Sequence, residues 1–206
     1  MTTRSLCYIL LGYLSGSVLF AKLALALLGK EDALRDSCDE NPGTANAFQC
    51  GGLLCGLMTL SGDLLKGYLP MRLYLAPERV LLLRQPVFAL VLLAPVLGTV
   101  LPVFSHFRGG KGIAVTFGCL LGLFPECRPL LAFSGSFLLF TLVIEITPNF
   151  YRTMAAYVFA LPLLRRLHVP SPVLTGFLLI TVTVCLRLHY SPEKREKVKV
   201  KLPWKH

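Results

Sequence analysis

The chain has 206 residues, 54% of them hydrophobic and only 16% charged, with a mean hydropathy of +0.65 and a formal net charge of +10. This balance excludes an ordinary soluble domain, which has little use for so many long apolar runs. It also argues against a nucleic-acid partner, because the basic residues are not interleaved with aromatics in any binding motif.

A bilayer crossing needs about 20 apolar residues. On that measure the apolar runs fall at 5–28, 51–74, 80–104, 112–124, 130–146, 151–164 and 173–188. The expected fold class is all-α, a polytopic integral membrane protein with about seven transmembrane helices. It forms a single domain over residues 1–206 that ends in a basic tail, 187–206. That tail holds seven Lys or Arg against two Glu, a net of +5. Basic segments stay on the cytoplasmic side and are drawn to anionic headgroups. The tail therefore sets the C-terminus in the cytoplasm, and an odd number of spans puts the N-terminus outside. Arg72, Arg79, Arg84, Arg165 and Arg166 then fall on the outer side, against the rule.

The first run follows one basic residue, Arg4, contains Lys22 and has no A-x-A-like cleavage site, so it reads as a retained helix rather than a signal peptide. Gly12 and Gly16 make a G-x-x-x-G spacing with Ser15 and Ser17 nearby, which suits close helix packing. A serine nucleophile would need a base partner, and none is near.

Residues 29–50 are the longest polar loop, acidic through Glu31, Asp32, Asp36, Asp39 and Glu40. Its end, Asn41-Pro42-Gly43-Thr44-Ala45-Asn46, is either a turn that caps the next helix or a polar surface at the membrane face. The second run carries Asp63 and Lys66, three apart on one helical face. Charges in the hydrocarbon face a protein interior or a wet cavity. The two are therefore a structural ion pair, or Asp63 aims Lys66 at an anion.

The third run ends in Gly98-Thr99-Val100-Leu101-Pro102-Val103-Phe104 and leads into Phe107-Arg108-Gly109-Gly110-Lys111-Gly112. Glycines let backbone N–H groups approach an anion, and Arg108 and Lys111 supply positive charge. If Ile113 opens a helix, its first turn adds a positive dipole end. The alternative is a plain basic turn between spans. Further on, Glu145, Asn149 and Arg152 flank a turn at Thr147-Pro148, and His189 stands where the last run meets the surface, as a base or as a polar anchor. The seven cysteines form no CxxC pair and read as small hydrophobes. A transporter would carry charges within a span, but no inverted repeat accompanies them here.

Four of these stretches stand in an order that resembles the acyl-phosphate:glycerol-3-phosphate acyltransferases of bacterial membranes, the PlsY family. They are Gly16-Ser17-Val18-Leu19-Phe20, Asn41-Pro42-Gly43 with Asn46, Asp63-Leu64-Leu65-Lys66-Gly67, and Pro102-Val103-Phe104 leading into Gly109-Gly110-Lys111-Gly112. The resemblance implies seven transmembrane helices and a cytoplasmic-face site. It implies transfer of an acyl chain from acyl phosphate to glycerol 3-phosphate, giving lysophosphatidic acid for phospholipid synthesis in the cell membrane. Membrane lipids are the surroundings, with no cofactor, no metal and no nucleic acid. It matches His189 as the catalytic residue, gives phosphate binding to Lys66, Gly109, Gly110, Lys111 and Gly112, and lets Asn41 and Asn46 shape the polar pocket. Ser17, Gly43, Thr44, Asp63 and Arg108 join the expected substrate-binding set from their own chemistry and their place in these stretches.

The chain departs from the family pattern at named places. Asp39-Glu40 stand where Ser-Gly is usual, Thr44-Ala45 reverses an Ala-Thr pair, Gln49 replaces an arginine, Thr99 a histidine and Pro192 an asparagine. Carboxylates beside a dianion repel it, and losing an arginine removes a bidentate donor. The alternative reading is thus a catalytically impaired paralogue that binds phosphorylated lipid or regulates an active copy.

Overall fold

A computed structural model describes residues 2–30, 42–191 and 199–201. Ten α-helices are present among them. They are α1 (Thr3–Ser17), α2 (Phe20–Leu27), α3 (Thr44–Gly51), α4 (Leu53–Leu75), α5 (Arg79–Arg84), α6 (Phe88–Val100), α7 (Ile113–Leu121), α8 (Arg128–Leu138), α9 (Asn149–Arg166) and α10 (Ser171–His189). A π-helical segment, Leu139–Val143, prolongs α8. Strands β1 (Glu145–Thr147) and β2 (Lys199–Lys201) pair antiparallel, with Ile146 opposite Val200.

The expected seven spans resolve into helices of unequal length. Among the described residues, Phe88–Ser105 and Ser171–His189 are long and apolar enough to cross a membrane, and α1 with α2 makes a third if that bent pair is one span. The run 5–28 is therefore not one straight helix. It breaks at Val18 and Leu19, both extended, and bends by 42°. The run 80–104 likewise divides into α5 and α6. The run 112–124 yields only the nine residues of α7, which rise about 13 Å against a hydrocarbon layer of about 30 Å. Helix α4 is 23 residues long but carries Asp63, Lys66 and Arg72, which dilute its hydropathy.

Small residues bring α1 and α6 together. A Cβ at Gly16 would collide with the Pro95 carbonyl, and one at Gly98 with the Tyr13 carbonyl. Close approach lets the Thr99 hydroxyl donate to Gly16 O at 3.1 Å and to Pro95 O at 2.9 Å. The packing role read for G-x-x-x-G thus has its partner in α6. Gly16→Leu is expected to overpack this contact and cost about 1–3 kcal/mol or more. Thermal unfolding in detergent checks it, with Gly135→Ala as control, since a Cβ there meets nothing within 4 Å.

Elsewhere the core is aromatic. The Phe133 ring lies 4.5 Å from Tyr157 and 5.3 Å from Phe177, all three fully buried. The arginines that offend the charge rule are partly explained by where their guanidiniums go. Arg72 donates to Phe124 O and Arg79 to Leu123 O, while Arg128 donates to Leu167 O and His168 O at the end of α9. Leu123 O also accepts from Glu126 N–H, whereas the carbonyls of Phe124, Leu167 and His168 lie just past helix ends, where backbone acceptors lack a helical donor. Arg128 also bonds Glu126 and holds that carboxyl below its usual range. This pair therefore stabilises the fold above the unfolded carboxyl's pKa and ceases to do so as pH falls through the lowered one.

Arg4 donates to Leu73 O and Tyr74 O at this same end of the bundle. At the other end, Arg187 of α10 donates to Gly109 O. The start of α1 and the end of α10 therefore lie at opposite ends.

A cavity with a polar mouth and an apolar interior

At the end of the bundle where α1 and α10 finish, a cavity of about 710 Å³ opens between α3, α4, α7, α8 and α9. Its polar wall comes from Thr44, Asn46, Asp63, Thr99, Lys111, Asn149, Arg152 and Thr153. Its apolar wall comes from Phe48, Leu60, Leu64, Phe117, Leu121, Leu130, Phe137 and Phe150. The volume is that of a small-molecule site, and the division suits a ligand with one polar end and one greasy end.

The glycine-rich loop sits under the mouth. Gly109 is buried where a Cβ would meet the Thr99 carbonyl and Pro102, and its own carbonyl accepts from Arg187 Nη2 at 2.8 Å. Arg187 Nε is buried with no partner among the described residues. Gly110 N–H donates to Thr99 O at 3.0 Å. Gly112 has φ +78°, a left-handed conformation that glycine adopts without strain, and starts α7. Its carbonyl accepts from the Thr116 hydroxyl at 2.9 Å, which in turn hydrogen-bonds Tyr157 Oη at 2.9 Å. The loop is thus pinned from α6, α9 and α10.

This corrects one detail of the expected cradle. The Gly110 amide is committed to Thr99 and is not offered to an anion. The first turn of α7 also borders the cavity: Ile113, Ala114 and Val115 line the wall, and their N–H groups have no helical acceptor. The helix dipole adds positive potential at the same place, beside Lys111.

Other expected site residues divide. Gly43, Thr44, Asn46, Asp63, Gly110, Lys111 and Gly112 line the cavity. Thr44, whose hydroxyl the reversed pair displaces, donates to Asp63 Oδ2 at 3.1 Å. Lys66 does not line the cavity. It turns toward the break between α1 and α2, 2.7 Å from Asp63 Oδ1 and 2.9 Å from Val18 O. Ser17 is buried, donates to Tyr13 O and accepts from Val103 N–H, so it fastens α1 to the short turn after α6. Arg108 is exposed and Gly109 packed, and neither is part of the cavity wall. His189 ends α10 at the same end of the bundle, exposed and edge-on to Tyr190 at 5.3 Å. Leu188, one residue earlier and about 100° around the helix, takes the place on the wall. Asn41, Asp39 and Pro192 lie outside the described residues. Gln49 is exposed and off the wall.

Sequence reasoning gave no site role to Asn149 and Arg152. They stand three apart on the first turn of α9, with Arg152 Nη2 donating to Asn149 Oδ1 at 2.6 Å. Their spacing was visible, but only the packing of α9 beside α7 brings them to the mouth. Among the described residues, no three or more His, Cys, Asp or Glu side chains gather as a metal site.

The sequence profile described as glycerol-3-phosphate acyltransferase matches residues 6–195. A Shewanella woodyi protein named glycerol-3-phosphate acyltransferase is 37% identical over 161 residues, covering 78% of this chain and 74% of that one. A Bordetella petrii protein of the same name is 42% identical over 123 residues, 59% of this chain and 56% of that one. Among solved structures, the glycerol 3-phosphate form of PlsY (YgiH), an integral membrane glycerol 3-phosphate acyltransferase, matches with a TM-score of 0.76 at 26% identity, covering 90% of this chain and 88% of that one. Its lysophosphatidic acid form matches with a TM-score of 0.73.

Proposed function

Since the chain belongs to the glycerol-3-phosphate acyltransferase family, we propose that its cavity holds acyl phosphate and glycerol 3-phosphate together at the mouth. The enzyme is a membrane acyltransferase whose product is lysophosphatidic acid. The observation that carries the site assignment is the pairing of one apolar interior with one cationic mouth, where Lys111 and the first turn of α7 meet. An acyl chain fills the interior along Phe117 and Phe137. Its phosphate rests against Lys111 and the α7 amides.

The glycerol hydroxyl attacks the acyl carbonyl, a new C–O bond forms, the carbonyl–phosphate C–O bond breaks, and inorganic phosphate departs. Acyl phosphate is already activated, so no covalent enzyme intermediate is required. Charge that builds on the carbonyl oxygen and the leaving phosphate is met by donors already aimed at it. The hydroxyl proton passes to the departing phosphate or to His189 at the same end of the bundle. Asp63, with Thr44 bonded to one oxygen and Lys66 to the other, shapes the polar wall without adding a net charge.

In the cell membrane this mouth faces the cytoplasm, with the end of α10 beside it and the start of α1 outside. The opposite placement of Arg4 and Arg187 supports that arrangement. Purified protein in vesicles, given acyl phosphate and glycerol 3-phosphate, is expected to release phosphate and form lysophosphatidic acid in equal amounts. Absence of both products would overturn the reading.

A further inference from the structure

We propose that Arg152, oriented by Asn149, is the second phosphate-holding cation of the site, reaching the mouth from α9. The inference rests on the reading of the cavity as a phosphate site and adds a residue to it. Two phosphorylated substrates bring more negative charge than one lysine and a helix terminus balance. Asp63 and Lys66 cancel each other, 2.7 Å apart. Gln49, on α3, contributes no positive charge and stands off the wall. Arg152 is the remaining cationic side chain on the wall among the described residues, besides Lys111.

Its chemistry fits. Guanidinium carries five N–H donors in a planar fork that matches two phosphate oxygens at once. One nitrogen is held by Asn149 Oδ1 at 2.6 Å, which fixes the fork's orientation and leaves donors on the other nitrogens. Asn149 is itself anchored at the helix start, its carbonyl accepting from the Thr153 hydroxyl at 2.9 Å. Further along α9, Tyr157 bonds Thr116, which holds Gly112 O. The same helix that carries Arg152 is therefore tied to the loop that carries Lys111. Half-burial in a mouth rather than at open surface makes each charge-assisted bond stronger than it would be in water.

The ligand is a phosphate group, of glycerol 3-phosphate or of acyl phosphate, and separate KM measurements tell them apart. Arg152→Ala is expected to raise KM for one substrate on the order of 10- to 100-fold, with the other changed much less. Arg152→Lys keeps the charge but loses the fork and should fall between. Asn149→Ala should shift the same KM in the same direction by a smaller factor. Thermal protection by inorganic phosphate is read in parallel and does not depend on turnover. The wild type should be protected, and Arg152→Ala should need at least tenfold more phosphate for the same shift. Arg166→Ala, at the far end of α9, serves as control and should change neither. A variant that turns over with unchanged KM for both substrates and unchanged phosphate protection overturns the proposal. If the wild type fails to turn over yet loses protection in Arg152→Ala, the phosphate role stands and the acyl transfer falls. Should Arg152→Ala not fold, Arg152→Lys decides by the same two readouts.

Discussion

Lys111→Ala is expected to lower kcat/KM by about 10²–10³ while leaving the folded protein in place. Lys111 lines the mouth between two glycines, and the first turn of α7 begins two residues later. Its removal takes away the nearest full positive charge while the backbone amides remain, so the loss is large but not complete. The fold should tolerate the change because the loop is held by other contacts, namely Gly110 N–H to Thr99 O, Arg187 to Gly109 O and Thr116 to Gly112 O. Lys111→Arg should recover only part of the rate. A planar fork and a compact ammonium place charge differently. Steady-state kinetics with each substrate varied in turn will check this. A loss of less than threefold in Lys111→Ala would remove Lys111 from the site.

The second large effect concerns stability. Lys66→Met is expected to destabilise by about 3–5 kcal/mol, the usual cost of leaving one member of a buried pair without its partner. The side chains of Lys66 and Asp63 are only 2% and 9% exposed. The ammonium has two acceptors to satisfy, the carboxylate and the Val18 carbonyl that the break between α1 and α2 sets free. Asp63→Asn combined with Lys66→Met should recover much of the loss, because no unpaired charge then remains. The double variant should nonetheless stay poorly active, since Asp63 forms part of the cavity wall and holds Thr44. Thermal unfolding of the single and double variants, with activity measured alongside, tests both halves. Equal and additive destabilisation by the two changes would show that the pair is not coupled.

The chemistry of the mouth was half legible in the chain. Lys111 and Gly112 announced themselves because a helix start after a basic glycine-rich loop is a local feature, set by residues within a turn of one another. Thr44, Asn46 and Asp63 came from local motifs too, and all of them line the cavity. Lys66 and Ser17 shared those motifs but turn toward helix contacts and off the cavity wall, because which way a helical side chain points depends on its neighbour. For Lys66 that neighbour is the broken first helix. For Ser17 it is the turn at Val103. Asn149 and Arg152 carried no motif at all. Their place follows from α9 lying beside α7, a contact between residues some 40 positions apart, as in Tyr157 with Thr116.

Sequence alone determined the class of this protein. Long apolar runs fix a helical membrane protein, because hydropathy acts over a few residues, and the ordered short motifs carry the resemblance to the acyltransferase family. Tertiary structure decided the rest. It broke the first run at Val18, shortened α7 and committed the Gly110 amide to Thr99. It also turned Lys66 inward and set Arg152 at the mouth. Each of those outcomes depends on which carbonyl or wall a neighbouring helix presents, and that is settled only when the helices pack.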